Sequence, residues 1–270
     1  MQNLNIPNLG YRRHFPLFKN YIIPLPPLDE QQRIVDIIES LFSKLDRAKA
    51  LAQNIINNYE LHRSAILHKA FTGKLTSSNI YNWSKIQLQN IVELLSRQDF
   101  KPDEYNSEEK GIPYITGASN FKANHVVINR WTLKPTVIAQ NGDVLLVCKG
   151  SGYGKTIIAD FDKAHIARQI MALRVNNKVE NQFIYYFLQF KFDYIRESGQ
   201  GLIPGISRKI VLNMSINLPD IAEQKEIVRI LDSLLAKEQQ TKELAEKVLQ
   251  KIDLIKKAIL ARAFRGEFVK

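Results

Sequence analysis

Cysteine is almost absent from this sequence. A single residue, Cys148, stands in an apolar run, so no disulfide can form within the chain, and a reducing cytoplasmic setting is expected. Histidine is sparse too: five scattered residues and one thiol make no spacing that would hold a zinc ion. No apolar run reaches the roughly 18 residues of a membrane-crossing helix, and no basic-then-apolar leader opens the sequence. The chain is therefore expected to be neither secreted nor membrane-spanning. Acidic residues are short relative to basic ones, 27 against 38, leaving a net charge of +11. That imbalance favours an acidic partner, nucleic acid first. Catalytic signatures are missing as well. There is no G-x-S-x-G elbow, no paired-carboxylate arrangement, no Asn-Pro-Pro-Tyr tetrapeptide and no methyl-donor glycine loop. The chain reads as a binder of acidic partners, with no catalytic residue assigned.

What the sequence does hold, in 270 residues of which 45% are hydrophobic, is one stretch written twice. Glu30 to Leu75 returns as Glu223 to Phe268 without insertion. Both copies open on Glu-Gln-x-x-Ile-Val and close on Ala-Ile-Leu-x-x-Ala-Phe-x-Gly, at Ala65–Gly73 and Ala258–Gly266. In the first copy Ile34, Ile38, Leu41, Leu45, Ala48, Ala52, Ile55, Tyr59, His62 and Ile66 alternate at four- and three-residue steps. The second copy has Ile227, Leu231, Leu234, Glu238, Thr241, Ala245, Val248, Ile252, Ile255 and Ile259 at the same places. This spacing belongs to a coiled-coil seam. About 40 helical residues rise about 60 Å, too long for either helix to bury its stripe alone. Asp29 with Gln32, and Asp220 with Glu223, have the spacing of capping boxes, and Gly73 and Gly266 sit where helix C-caps belong.

The remaining chain divides accordingly. Residues 1–28 are short and proline-rich, and echo the segment ahead of the second helix: Ile6-Pro-Asn-Leu against Ile203-Pro-Gly-Ile, and Ile23-Pro-Leu-Pro against Ile216-Asn-Leu-Pro. They are expected to be the remnant of a preceding domain. Residues 29–75 form the first helix, 76–221 one compact α/β unit and 222–270 the second helix. Within the unit, strands are expected around Trp83 to Leu88 and at Ile112–Ile115, His125–Ile128, Asp143–Cys148, Thr156–Ala159 and Ile170–Val175. A short helix is expected over Gln89–Leu95. An amphipathic helix is expected over Asn181–Glu197, with Phe183, Phe187, Phe190 and Tyr194 in the core. Lys149-Gly-Ser-Gly-Tyr-Gly-Lys-Thr156 has the outline of a phosphate-binding P-loop, but lysine stands where its first glycine belongs and a β-like run follows. A glycine-rich hairpin flanked by lysines suits a loop that approaches a DNA phosphate instead.

Pro24-Leu-Pro-Pro-Leu-Asp-Glu-Gln-Gln-Arg-Ile-Val35, the Ala-Ile-Leu-x-x-Ala-Phe-x-Gly ends and their second copy resemble the specificity subunits of type I restriction-modification systems. Ile112-Pro-Tyr-Ile, Gly142-Asp-Val-Leu-Leu and Gly199-Gln-Gly-Leu-Ile-Pro-Gly-Ile-Ser are similar to that family's target recognition domains. The resemblance implies an α+β fold in which one α/β target recognition domain accompanies two long helices pairing as an antiparallel coiled coil. It implies a non-catalytic, cytoplasmic, sequence-specific DNA-binding subunit whose helices dock modification (methyltransferase) subunits and, through them, restriction subunits. S-adenosylmethionine, ATP and Mg would then belong to those partners, with no cofactor on this chain. Family members carry two recognition domains and this sequence one, so the chain is expected to read half of a bipartite site in double-stranded DNA. Two chains, a homodimer through the helices, would be needed for the whole site. Lys101, Lys122, Lys149, Lys155 and Lys209 are suited to neutralise phosphates, with Ser151 in the same loop as Lys149. Arg97, Asn120, Arg168 and Gln169 have the geometry to read guanine or adenine edges. The alternatives are a coiled-coil adaptor and an inactive gene-cassette fragment, neither binding DNA of its own.

Overall fold

In a computed structural model, residues 25–76, 80–96, 101, 104–122, 125–150, 152–199 and 205–268 are described. The two copies of the repeat fold alike to the residue. Helix α1 spans Leu28–Phe71 and helix α5 spans Ile221–Phe264, 44 residues each and in the register of the repeat. Both close in the same way. Gly73 (φ 67°) and Gly266 (φ 77°) adopt the left-handed conformation, while Lys74 N–H donates to Lys69 O and Glu267 N–H to Arg262 O. Their starts differ. Asp220 caps α5, accepting from Glu223 N–H at 2.9 Å. The capping box expected at Asp29 does not form: α1 begins at Leu28, with Gln31 N–H donating to Pro27 O, and the Gln32 amide donates to Asp36 instead.

The chain forms two compact units. The first comprises residues up to Glu60 together with Lys237 onward. Its two helical segments pair antiparallel, since contacts climb one helix as they descend the other. Lys256 meets Asp46 at 2.5 Å, Lys49 meets Asp253 at 3.7 Å, and Tyr59 Oη donates to Gln239 at 2.8 Å. Ala52, Tyr59, Ala245 and Ile252 are buried along the seam. Ile55, Val248 and Ile255, expected there too, stay 39%, 41% and 45% exposed. Small residues at Ala52 and Ala245 let the backbones approach but fill little volume, so their larger neighbours lie at the seam's margin.

The second unit, Leu61–Ala236, is an α/β body. Its strands are β1 (Ser84–Gln87), β2 (Val92–Leu95), β3 (Ile112–Ile115), β4 (Phe121–Lys122), β5 (His125–Val126), β6 (Trp131–Thr132), β7 (Ile138–Gln140), β8 (Val144–Val147), β9 (Thr156–Ile158), β10 (Lys163–Ile166), β11 (Ile170–Val175) and β12 (Ser215–Leu218). Three short helices complete it: α2 (Asn181–Phe190), α3 (Phe192–Glu197) and α4 (Arg208–Leu212). One sheet has the order β2-β11-β8-β9 and another β6-β3-β10-β7, while β1 pairs with β12 and β4 with β5. All pairings are antiparallel except β3 with β10. Strand β8 and the Ile170–Leu173 part of β11 are apolar without alternation because both their faces are covered. Val144, Leu146, Met171 and Leu173 join one core with Phe183, Phe187, Leu67, Phe71, Ile227 and Leu231. Leu145, Ile170 and Ala172 turn to a second core with Ile115, Ile157 and Ile166.

Two expectations need correction. Residues 89–95 are not a helix. A single 3₁₀ turn at Leu88–Asn90 leads into β2, where Val92 and Leu94 are buried and Glu93 is exposed, the period of a strand edge on β11. The expected helix 181–197 is two helices, interrupted at Lys191 (φ −90°, ψ 10°). Phe183 and Phe187 lie in the core as expected and Phe190 packs against it, whereas Tyr194, beyond the break, is 50% exposed.

His165 on β10 is fully buried, and its Nδ1 accepts from the backbone N–H groups of Thr136 and Val137, each at 3.2 Å. Burial lowers its pKa from 6.5 to about 4. Above pH 6.5 the ring is neutral in both folded and unfolded chains and adds no pH dependence. As pH falls from 6.5 toward 4, only the unfolded chain gains the proton, so stability is lost, by at most about 3 kcal/mol. Urea midpoints at neutral and mildly acid pH check this. His165→Gln, which cannot titrate, should flatten the difference; an unchanged pH dependence in that variant refutes the assignment.

Candidate nucleic-acid interface

The β8–β9 hairpin carries the glycine-rich loop, and β9 begins at Thr156, where a P-loop would place a helix. Three backbone donors of the loop are committed within the hairpin. Tyr153 N–H donates to Gly150 O, Gly154 N–H to Val147 O and Lys155 N–H to Gly152 O. What the glycines permit is close packing. A Cβ on Gly152 would lie 2.0 Å from the Ala118 methyl carbon, and one on Gly154 (φ 86°) would lie 2.7 Å from the Phe192 ring. The hairpin is held on its far side by Tyr153, whose hydroxyl donates to Ile195 O.

Three further segments meet this hairpin. The loop after β10 is held by Cys148, whose N–H donates to Gln169 O at 2.8 Å and whose thiol donates to Arg168 O at 3.3 Å. Burial pushes that thiol up to about 11, so it stays protonated and packs rather than reacts. The segment from Gly205 forms a backbone bridge with Lys149, and Ile206 N–H donates to Cys148 O. The loop after β3 brings Gly117 and Ala118 against Gln169 and Gly152. Read along the chain, residues 116–122, 148–156, 167–169 and 205–212 contain Lys122, Lys149, Lys155, Arg168, Arg208 and Lys209 and no aspartate or glutamate.

The expected contact residues separate on this geometry. Lys149, Lys155, Arg168, Gln169 and Lys209 belong to the converging segments; all are exposed except Gln169, which is half-buried. Lys122 is exposed on β4 opposite His125, and Lys101 lies at a turn where its N–H donates to Glu104. No hydrogen bond or ion pair joins either side chain to the hairpin among the described residues. Asn120 is 1% exposed, so its amide edge is not presented outward. It holds its own loop together, accepting from Thr116 and Gly117 and donating to Val127 O. Arg97 and Ser151 lie outside the described residues. Sequence reasoning missed Arg208, which donates to Ser96 and Leu94 O, and Arg196, whose guanidinium lies over Phe192. Only their proximity in sequence to Lys209 and to the aromatic helix marked them.

Among the described residues, no group of three His, Cys, Asp or Glu is placed to hold a metal ion, and no helix is long and apolar enough to cross a membrane.

Comparison with known proteins agrees with this picture. A putative type I restriction enzyme MjaX specificity subunit from Methanocaldococcus jannaschii is 27% identical over 250 residues, covering 87% of this chain and 58% of its own length. The crystal structure of an HsdS subunit from Thermoanaerobacter tengcongensis superposes with a TM-score of 0.71 at 27% identity, covering 90% of this chain and 60% of that one. A chain from a structural study of complex assembly and conformational transition of the type I R-M system gives 0.76 at 28% identity, covering 90% and 61%. The chain thus spans about three fifths of the relatives it matches. With residues 14–57 and 81–250 matching the type I restriction modification DNA specificity domain, the chain belongs to that family.

Proposed function

We propose that this chain is the DNA-reading component of a type I restriction-modification complex and that unit Leu61–Ala236 reads one half of a bipartite site. The acid-free convergence of the hairpin with the loops at 116–122, 167–169 and 205–212 carries this reading. A surface of that charge meets the phosphate backbone, which positions, while an amide such as that of Gln169 reaches a base edge, which specifies. Modification subunits dock along the paired helices, where Leu51, Leu244 and Leu254 stay 69%, 54% and 65% exposed. Apolar side chains recurring on an otherwise polar helix surface mark a protein partner. A complete bipartite site then takes two such chains, and methyl transfer belongs to the docked subunits.

Binding of random duplex DNA across a salt series tests the reading. With Lys149, Lys155, Arg168 and Lys209 each neutralising one phosphate, log K should fall against log salt with a slope of about −3 to −4. Replacing Lys149 and Lys155 with alanine should reduce its magnitude by about 2. A flat response in the unaltered chain refutes the proposal. Light scattering that finds a strict monomer binding a two-part site at full affinity refutes the two-chain requirement alone.

A further inference from the structure

Gln169 is half-buried, and its backbone is tied down by Cys148, so only its carboxamide remains adjustable. Among the described residues none is hydrogen-bonded to that carboxamide. It lies between two residues that have no side chain: a Cβ on Gly117 would lie 3.0 Å from Gln169 Oε1, and a Cβ on Gly150 would lie 3.9 Å from the same atom. The reasons for glycine differ. Gly150 has φ 89°, a conformation that demands glycine whatever surrounds it. Gly117 has φ 166° and ψ −160°, extended backbone open to any residue. Backbone conformation therefore does not explain glycine at 117, and the atom that a side chain there would press is the Gln169 oxygen, which would have to give by a few tenths of an ångström. A glutamine amide offers one acceptor and two donors in a plane, the pattern that pairs bidentately with adenine N6 and N7.

We propose that Gly117 is a positioning residue for sequence recognition: the space left by its missing side chain sets the direction in which Gln169 presents its amide to a base edge. An added methyl at 117 crowds the oxygen and turns the amide, so the base read by Gln169 changes while the phosphate-neutralising lysines are untouched. This rests on the reading of the chain as a DNA reader.

The test is selection by the full chain from a duplex pool with a randomised core, for the unaltered protein, Gly117→Ala, Gln169→Ala and the double variant. Gly117→Ala should lose about tenfold in enrichment at one base position or exchange the base preferred there, the scale of one bidentate contact. Its binding to unselected duplex should stay within about twofold, since that term is set by phosphate contacts. The double variant should match Gln169→Ala, because without the carboxamide the methyl meets nothing; a shared position shows as this failure of additivity. A motif in Gly117→Ala identical to that of the unaltered chain overturns the inference, and so does a Gly117→Ala effect that persists in full when Gln169 is already alanine. If Gly117→Ala does not fold, Gln169→Asn, which withdraws the amide by one methylene, must alter one base position only, and an unaltered motif overturns the inference. No motif for the unaltered chain removes the DNA-reading function and this inference with it, whereas a motif indifferent to these variants removes the inference alone.

Discussion

Asp143→Ala should destabilise the chain by about 3 kcal/mol, the low end of what breaking a buried ion pair costs. The Asp143 side chain is 3% exposed and holds Arg174 with two hydrogen bonds, Nε to Oδ1 at 3.0 Å and Nη2 to Oδ2 at 2.8 Å. It also accepts from Gln140 N–H at 2.9 Å, which closes the turn between β7 and β8. Removing it leaves Arg174 with Ile138 O and a distant Glu93 at 3.9 Å. Arg174 retains 30% exposure, so water takes up part of the loss, which is why the low end applies. Replacing both residues by apolar ones of similar size should recover much of the stability, because no charge is then left unpaired. Urea denaturation of the two single variants and the double variant checks this. A single Asp143→Ala loss under about 1 kcal/mol would mean that the pair is a surface contact in energetic terms.

Phe183→Ala should cost more, about 3–5 kcal/mol, the range for removing a large aromatic from a packed core. Phe183 is fully buried on α2, its ring 5.0 Å from that of Phe71 at the end of α1, in the core that also takes Ile227 and Leu231 from the start of α5. Three helices meet at this ring, and none can move in to fill the cavity without leaving its other contacts. For a unit of this size each kcal/mol lowers Tm by about 2–4 °C, so calorimetry should register a drop of roughly 6–20 °C. Phe190→Ala, at the partly buried edge of the same cluster, should cost distinctly less. Equal losses at the two positions would place the centre of the core elsewhere.

What could be read from the amino-acid order was what is encoded locally. The 44-residue helices announce themselves by four- and three-residue apolar spacing, and their left-handed caps by Gly73 and Gly266. Strands β3 and β11 matched their expected bounds because short, largely apolar runs, interrupted in β11 only by Arg174, mark strands that are mostly covered. Strands β4, β6, β7, β10 and β12 were not anticipated. Each has two to four residues, and pairing across the sheet, not local sequence, sets its conformation. Residues 89–95 were misread because Ile91, Val92, Leu94 and Leu95 fit one helical face as well as they fit a strand. At the candidate interface the lysine-flanked hairpin was legible from its composition. Its meeting with Gly117 and Gln169 was not, because that depends on the parallel pairing of β3 with β10, which carries both loops to the same edge. Asn120 shows the limit of arguing from residue type alone, since an amide suited to adenine is equally suited to closing its own loop.

The hydrogen bonds that close the turn of the hairpin have one more consequence. Tyr153, Gly154 and Lys155 each close a hydrogen bond within the turn, and the neighbouring loops are fastened through Cys148 and Ile206 main-chain atoms. Side chains pointing outward from such a platform can be exchanged without orphaning a buried donor or acceptor. On the proposed reading, target preference can therefore change by a few substitutions at Lys149, Lys155 or Gln169 while the scaffold keeps its stability. On that reading, a frame that tolerates such turnover lets the protein acquire a new target without having to evolve a new fold.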